Sequence, residues 1–155
     1  MNTYPNNNGF SFLRFEDAKS TVLSSHTSLS GSMVILQVNK QVLLCYNTLR
    51  KQWELPAGKR EANETPLDCA IRELYEETGQ RSSNLSFLGF AHSTNRLGLH
   101  KINPIYQTTK QTIDPFISNN ETSAIRLWDL TEPIGAVAEV DLHLLFALRE
   151  RHLHL

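Results

Sequence analysis

The stretch Gly58–Gln80 reads GKREANETPLDCAIRELYEETGQ, and the rest of the chain is interpreted around it. Its second half carries helix signals at both ends. Thr65 can cap the amino terminus, Pro66 suits the first helical position, and Asp68 can complete a capping box. Gly79 can adopt the left-handed conformation that ends a helix. The stretch therefore predicts a loop followed by a helix that stops before Gly79.

The predicted helix has two faces of opposite character. The apolar stripe, expected to face the core, consists of Leu67, Ala70, Ile71, Leu74 and Thr78. Glu73, Glu76 and Glu77 are spaced by three and four residues, so their carboxylates share another side, where they repel. A hard cation such as Mg²⁺ or Mn²⁺, which prefers oxygen ligands, explains such a cluster. The alternative is an ordinary solvated face, but the neighbouring Arg72 and the preceding loop acid Glu64 favour a metal site.

The spacing of these residues resembles the Nudix box. The pattern stands here as Gly58, Glu64, Arg72, Glu73, Leu74, Glu76, Glu77 and Gly79. The family pattern closes with an aliphatic residue, whereas this chain has Gln80, a departure that affects packing at the helix exit. The preceding segment Trp53–Gly58 (WELPAG) is similar to the strand before the box in many members. The resemblance implies an α/β (α+β) fold, a Nudix-type α/β/α sandwich with a mixed sheet. In it the box helix packs on one face and the carboxy-terminal helix on the other.

The resemblance also implies a metal-dependent pyrophosphohydrolase, a Nudix hydrolase that cleaves diphosphate linkages. The implied metal ligands are the Gly58 carbonyl and the carboxylates of Glu73, Glu76 and Glu77, with Glu64 as an outer ligand. The catalytic residues are predicted to be Glu76, Glu77, Arg72 and Glu121. Arg72 would orient a glutamate, and Glu121 would serve as the general base that some members carry in a later loop. The alternative for Glu121 is a plain surface acid.

We predict Arg50, Trp53 and Glu54 as substrate-binding residues. Arg50 can meet a phosphate, although it can equally be an ordinary loop charge. Trp53 can stack on a base or pack in the core. All three lie just before the box.

The substrate is predicted to be a nucleoside diphosphate derivative, with a (d)NTP or an oxidised nucleotide favoured because the short flanks resemble the MutT-like branch. The alternatives are ADP-ribose or a nucleotide sugar, and a non-catalytic nucleotide-sensing Nudix module. The LPAG segment before the box resembles the ADP-ribose branch, but the proline usual for that branch a short way after the box is missing. The intact glutamate cluster favours an enzyme over a silent module.

Length and composition predict one domain over residues 1–155, with a loose amino-terminal arm over about 1–9, and the resemblance implies that it is a Nudix hydrolase domain. The net charge of −1 provides no basic field, so a small nucleotide and no nucleic acid is the expected partner. We expect no membrane span, no signal peptide and a cytoplasmic location, and the resemblance allows a homodimer. Cys45 and Cys69 are expected to pack in apolar surroundings.

Alternating and apolar runs predict strands over 10–15, 32–38, 41–46, 52–55, 84–91, 100–108 and 124–130. Residues 92–100 are expected to form a loop, and Pro104 implies an edge position or a bulge. A second helix is predicted over Val140–Glu150, with Leu142, Leu145, Phe146 and Leu148 on its buried side.

Overall fold

The computed structural model describes residues 9–26, 28–151 and 153. The predicted amino-terminal arm over about 1–9 lies outside the described residues except for Gly9. The strands are β1 (Phe10–Asp17), β2 (Ser32–Val38), β3 (Gln41–Asn47), β4 (Gln52–Glu54), β5 (Ala57–Gly58), β6 (Ser86–Asn95), β7 (His100–Lys110) and β8 (Thr122–Trp128). The helices are α1 (Pro66–Thr78) and α2 (Glu139–Arg149), with a short 3-10 helix over Ser20–Ser25.

The strands form one mixed sheet in the order β1-β6-β7-β2-β3-β4, to which β5 adds beside β2 and β8 beside β3. The pairing of β2 with β7 is parallel, and the other strand pairs of the sheet are antiparallel. The β2–β3 hairpin is paired only next to its turn. Beyond that point β3 diverges to pair with β8, and the opening lets β5 reach the start of β2.

Strand β2 lies at the centre of the sheet, between β7 and β3, and every one of its residues is therefore buried. Met33 and Ile35 belong to the core under α2, while Val34 and Leu36 belong to the core under α1. Successive side chains of a strand point to opposite faces, so an unbroken apolar run marks a strand covered on both sides. The predicted sandwich, with one helix on each face of a mixed sheet, is therefore confirmed.

The predicted strand over 32–38 and the boundaries of α1 are also confirmed. The predicted loop over 92–100 is wrong, because β6 continues to Asn95 and forms a hairpin with β7. Pro104 was expected at an edge or bulge. Strand β7 lies between β6 and β2 and is not an edge strand, but the β6–β7 register shifts between Phe87 and Gly89, next to the Phe90–Pro104 pair. The proline is tolerated since the pairing with β2 begins only at Ile105.

Two residues of the predicted apolar stripes are exposed, and Ile71 is only partly buried. Leu67 and Phe146 are each 37% exposed, whereas Leu74 and Leu145 are completely buried. Leu67 lies in the first turn of α1 and Phe146 on the outer side of α2. A hydrophobic pattern identifies the buried stripe of a helix, but the width of that stripe depends on how closely the sheet approaches.

No helix in the described part of the chain combines the length and the apolar character needed to cross a lipid bilayer.

Candidate active site

Helix α1 begins and ends as its sequence predicts. The Thr65 hydroxyl accepts a hydrogen bond from the Asp68 backbone N–H at 3.1 Å. At the other end Gly79 has a φ of 81° and donates its N–H to the Tyr75 carbonyl at 2.8 Å. These two boundaries orient the three glutamates of the helix toward the loop that precedes it.

Gly58 brings the backbone of β5 directly against Glu73. A Cβ atom at Gly58 would collide with the Glu73 carboxylate. The Gly58 carbonyl accepts a hydrogen bond from the Cys69 thiol at 3.3 Å, so its oxygen lies beside the first turn of α1. Only a glycine permits this approach of a backbone carbonyl to a carboxylate, which places two predicted metal ligands side by side.

Glu73 and Glu77 face each other across one turn of α1. Burial raises the pKa of Glu77 well above its usual range, and the Glu73 charge raises it further. Burial likewise raises the pKa of Glu73. The Cys45 thiol donates to Glu77 Oε2 at 3.2 Å, and burial raises the pKa of that thiol, so it stays protonated. Two desolvated carboxyls this close require a proton or a cation between them.

Arg72 holds the loop and the helix together. Its guanidinium donates to both carboxylate oxygens of Glu64, at 2.7 and 2.9 Å, and to the Lys59 carbonyl at 2.8 Å. The same group contacts Glu73 at 2.7 Å and Glu76 at 3.1 Å. Hydrogen bonds from Arg72 lower the pKa of Glu64 to about 2. These contacts tie Arg72 to Glu73 and Glu76, and its orienting role stays a prediction.

The loop after β7 packs on the end of α1 through Gln80. The Gln80 amide donates to the Asp114 carbonyl at 2.8 Å and accepts the Asp114 N–H at 2.7 Å. Asn119 in the same loop donates to the carbonyls of Glu76 and Glu77. The polar residue that departs from the family pattern therefore makes a specific pair of hydrogen bonds with a loop.

Glu121 is exposed, and it follows Asn119 in this loop. Its carbonyl accepts hydrogen bonds from the backbone N–H and the hydroxyl of Thr48. The Glu121 charge also raises the pKa of Arg50. The structure thus brings Glu121 near Arg50, and its role as a base stays a prediction.

Arg50 and Glu54 form a bidentate ion pair at 2.8 and 3.0 Å. The Glu54 carboxylate also accepts hydrogen bonds from the amides of Asn47 and Gln52. With both oxygens engaged, Glu54 positions Arg50. Trp53 packs edge-on against Tyr46 and donates its indole N–H to the Ile134 carbonyl at 3.0 Å.

A cleft of about 570 Å³ begins at Gly58 and runs between the sheet and the start of α2. Its polar lining consists of Ser30, Arg50, Glu54, Lys59, Arg60, Ser93, Lys101, Asn103 and Asp141. Arg50 and Glu54 therefore line this cleft, and their contact with substrate stays a prediction. Trp53 is not among the described residues that line the cleft.

Asp141, Lys101 and Ser93 were not singled out from the sequence. Asp141 is 8% exposed, accepts the Leu55 N–H at 2.8 Å and has its pKa raised to about 7, chiefly by burial and then by the Glu54 charge. Its position was detectable, because Asp141 precedes Leu145 and Leu148 at helical spacing on the buried face. Lys101 and Ser93 carry no such signal.

The residues around Gly58 fit a divalent metal ion by their chemistry. Glu73 and Glu77 are hard oxygen donors whose mutual repulsion a cation would relieve, and the Gly58 carbonyl lies beside them. Glu76 is 54% exposed at its side chain and turns toward Arg72. Within residues 9–26, 28–151 and 153, no three His, Cys, Asp or Glu side chains already converge on one point. Glu76 would have to leave Arg72 to complete the predicted ligand set.

A family model described as the NUDIX domain matches residues 28–148. An RNA pyrophosphohydrolase of Bartonella bacilliformis is 55% identical over 40 residues, which cover 26% of this chain and 24% of that protein. The mRNA-decapping enzyme subunit 2 of Arabidopsis thaliana is 27% identical over 119 residues, or 74% of this chain and 31% of that protein. The chain thus spans less than a third of the curated relatives it matches.

Among solved structures, a mutant of the Bacillus subtilis pyrophosphohydrolase BsRppH superimposes with a TM-score of 0.68 at 20% identity. The superposition covers 88% of this chain and 87% of that one. At this identity the likeness concerns the fold alone.

Proposed function

Because the chain belongs to the Nudix family, we propose that it is a metal-dependent pyrophosphohydrolase that cleaves a diphosphate linkage in a nucleoside diphosphate derivative. The observation that carries the proposal is the desolvated pair Glu73–Glu77 beside Gly58. Gly58 itself lines a cleft whose charged residues include Arg50, Lys59, Arg60 and Lys101. Carboxylates on one side and cations on the other suit a substrate whose phosphates bind both a metal ion and basic side chains.

Gly58, Glu73, Glu76 and Glu77 would hold Mg²⁺ or Mn²⁺. When bound, the ion would neutralise charge on phosphoryl oxygens and lower the pKa of water at the site. Arg72 holds Glu73 in place and so positions one of these ligands, whereas Glu76 would have to leave Arg72 to join them. Arg50, held by Glu54, presents its charge to the cleft where phosphate would lie.

Glu121 is proposed as the general base, because it lies on the loop that Asn119 joins to the backbone of Glu76 and Glu77. An exposed carboxylate that is not consumed by an ion pair can accept a proton from an attacking water. Trp53 is proposed to act indirectly, through the β4 backbone, because its ring packs away from the cleft lining.

We propose a (d)NTP or an oxidised nucleotide as the substrate. A second candidate, 5′-triphosphorylated RNA, is favoured by the names of the relatives, one an RNA pyrophosphohydrolase and one a decapping subunit. The two candidates share a 5′-polyphosphate, which the cations of the cleft suit. ADP-ribose and a catalytically silent nucleotide sensor are the alternatives that the test must separate.

The test is phosphate-product release with Mg²⁺ across a panel of nucleoside triphosphates, oxidised deoxynucleoside triphosphates, ADP-ribose, nucleotide sugars and 5′-triphosphorylated RNA. Glu77→Gln is the control variant, with an expected loss of activity of at least a hundredfold and an unchanged fold by circular dichroism. A preferred substrate whose turnover vanishes in the variant supports the enzyme. Nucleotide binding without turnover on any compound would favour the sensor, and near-normal turnover by Glu77→Gln would refute the role of the cluster.

A further inference from the structure

The far wall of the cleft is formed by β6 and β7, on the other side of β2 from Gly58. Ser93 and Lys101 are directly opposite each other in the β6–β7 register, and both line the cleft. Opposite residues of an antiparallel pair share one face of the sheet. Two strand spacings and three residues separate this point from Gly58, a distance on the order of 10–15 Å. The wall is therefore separate from the proposed metal ligands.

Lys101 is a half-buried cation without an acidic partner among the described residues. Its ammonium group lies 4.0 Å from the centre of the Phe10 ring, a cation–π contact that fixes its position. Burial lowers the pKa of Lys101, and the charges of Lys59 and Arg50 lower it further. Positive charges thus converge on this part of the cleft with no carboxylate within ion-pair distance of Lys101 in the described structure.

Ser93 supplies a second, independent feature. The residue is 2% exposed, yet its hydroxyl makes no hydrogen bond with any described residue. Among the described residues, the enclosed side-chain polar atoms without a partner are Gln37 Nε2 and Gln52 Oε1, so the Ser93 hydroxyl keeps solvent contact and is open to the cleft. Since Ser93 lines the cleft opposite Lys101, a group entering the cleft can accept from both side chains.

The amide of Asn103, which neighbours Lys101, is already hydrogen-bonded and is not available to a ligand. Asn103 follows Lys101 on the same face of β7, but its amide donates to the Gly31 carbonyl at 2.7 Å. Gly31 in turn packs against the Gly58 carbonyl so closely that a Cβ atom would collide with it. Asn103 therefore supports the backbone beside Gly58. On the wall formed by β6 and β7, the side-chain donors left for a ligand are the Ser93 hydroxyl and the Lys101 ammonium.

We propose that Ser93 and Lys101 form a second anion site, which binds a phosphate of the substrate that lies outside the scissile diphosphate linkage. The inference rests on the proposed function only in that it takes hydrolysis of a diphosphate linkage as the reaction. An ammonium held over an aromatic ring and a hydroxyl open to the cleft are donors suited to phosphate oxygens. Such a phosphate can come from a longer polyphosphate or from the first phosphodiester of an RNA chain, and the site makes Lys101 a specificity-determining residue.

The experiment compares Lys101→Met and Ser93→Ala with Lys101→Arg, which keeps the charge. Lys40→Met is the matched control, because Lys40 follows the far end of β2 and undergoes the same change of charge. The substrates are a nucleoside triphosphate, a 5′-triphosphorylated dinucleotide and ADP-ribose, which has no phosphate outside its linkage. We expect Lys101→Met to lower kcat/KM at least tenfold for a substrate that fills the site, through KM, and to change ADP-ribose turnover less than twofold.

The substrates identify the source of the phosphate. A loss on both triphosphorylated compounds assigns the site to the polyphosphate, and a loss confined to the dinucleotide assigns it to the phosphodiester. An equal loss on all three substrates, or none on any of them, would overturn the proposal. So would a loss that Lys40→Met reproduces.

A binding measurement separates this proposal from the proposed function. Tripolyphosphate and pyrophosphate are titrated calorimetrically into the wild type and Lys101→Met, without a nucleoside and without turnover. The wild type should bind tripolyphosphate at least tenfold more tightly than pyrophosphate, and the variant should lose that preference. If turnover is absent but the preference is found, the proposed function fails while the anion site stands. If the preference is absent, a polyphosphate source is excluded, and the dinucleotide must then show the loss for the site to survive.

Discussion

At the scale of single residues, Arg72 offsets the mutual repulsion of a loop glutamate, Glu64, and two helix glutamates, Glu73 and Glu76. Its guanidinium joins Glu64 to Glu73 and Glu76, so the acids are tied to a cation even before substrate or metal binds. The box spacing identified these residues, because a helix sets the direction of each side chain. It did not predict that Cys45 and Cys69 would donate to the predicted ligands Glu77 and Gly58.

The Glu64–Arg72 pair predicts a pH-dependent contribution to stability. The pKa of Glu64 is about 2 in the folded protein and near 4.5 when unfolded, so the contribution is complete above pH 4.5 and is lost as the pH falls toward 2. Glu64→Gln should lower the free energy of unfolding by about 1–3 kcal/mol at pH 7. Urea denaturation should show this difference shrinking between pH 5 and pH 2.

Glu61→Gln is the matched control for Glu64→Gln. The Glu61 side chain is 67% exposed and lies 3.6 Å from Arg72, so its loss should change stability by less than about 0.5 kcal/mol. A destabilisation by Glu64→Gln that does not vary with pH would contradict the assigned ion pair.

Asp141 predicts a pH dependence of the opposite sign. Its pKa of about 7 in the folded protein lies above the unfolded value of 3.8, so the folded state binds more protons between these values. The contribution of Asp141 to the free energy of unfolding therefore falls as the pH rises from about 4 to 7. Asp141→Asn removes this term while its amide oxygen can still accept the Leu55 N–H. We expect the variant to gain roughly 1–3 kcal/mol relative to the wild type between pH 5 and pH 8, measured by denaturant titration. An unchanged difference between the two proteins would contradict the raised pKa.

At the scale of elements, α1 and β2 were predictable because their signals are local. Capping residues and a terminal glycine mark the helix. The apolar run MVIL within Ser32–Val38 marks the central strand, all of which is buried. The sequence analysis missed the end of β6 because His92–Asn95 carry polar side chains. Their backbone nevertheless pairs with β1 on one side and with β7 on the other. Strand pairing there overrides the local pattern.

The end of α1 supplies a prediction at this scale. Gly79 has a φ of 81°, and a Cβ atom there would lie 2.9 Å from the Ile117 side chain and 3.1 Å from the Pro115 carbonyl. Gly135 has a φ of 94° with open space around it. Gly135→Ala should cost about 1–2 kcal/mol for backbone strain, and Gly79→Ala about 2–4 kcal/mol because overpacking adds to the strain. Thermal and urea unfolding of the two variants measure the difference, and equal costs would show that the loop does not press on the helix end.

At the scale of the whole molecule, the sheet brings distant segments to one cleft. Arg50 precedes the box by only eight residues, but Lys101 reaches the cleft because β7 pairs in parallel with β2. Asp141 reaches it because α2 packs across the opposite face from α1. The proposed binding of a metal ion at the box would therefore depend on the assembled fold, since the unfolded chain does not hold Gly58 against Glu73.

Metal binding should accordingly stabilise the folded protein. A ligand that binds only the folded state raises its stability by about 1.4 kcal/mol at ten times its dissociation constant. The Tm of the wild type should rise with added Mg²⁺ or Mn²⁺, and Glu77→Gln should abolish the rise while matching or exceeding the metal-free Tm of the wild type. Glu150→Gln, an exposed change at the end of α2, should keep the full rise. Equal metal-dependent shifts in Glu77→Gln and the wild type would exclude Glu77 as a ligand.

The sequence by itself determined the family resemblance, the central strand, the box helix with its caps, and the acidic residues of the site. These features depend on residues within one or two turns of each other, where spacing alone decides which side chains share a face. Only the tertiary structure decided that Glu54 anchors Arg50 with the help of Asn47 and Gln52, that Trp53 packs away from the cleft, and that Ser93, Lys101 and Asp141 line it. The Glu54 contacts span only the turn between β3 and β4, but they depend on side-chain geometry that residue spacing does not give. The other contacts join segments far apart in the chain, and they follow from a strand order that no local pattern encodes.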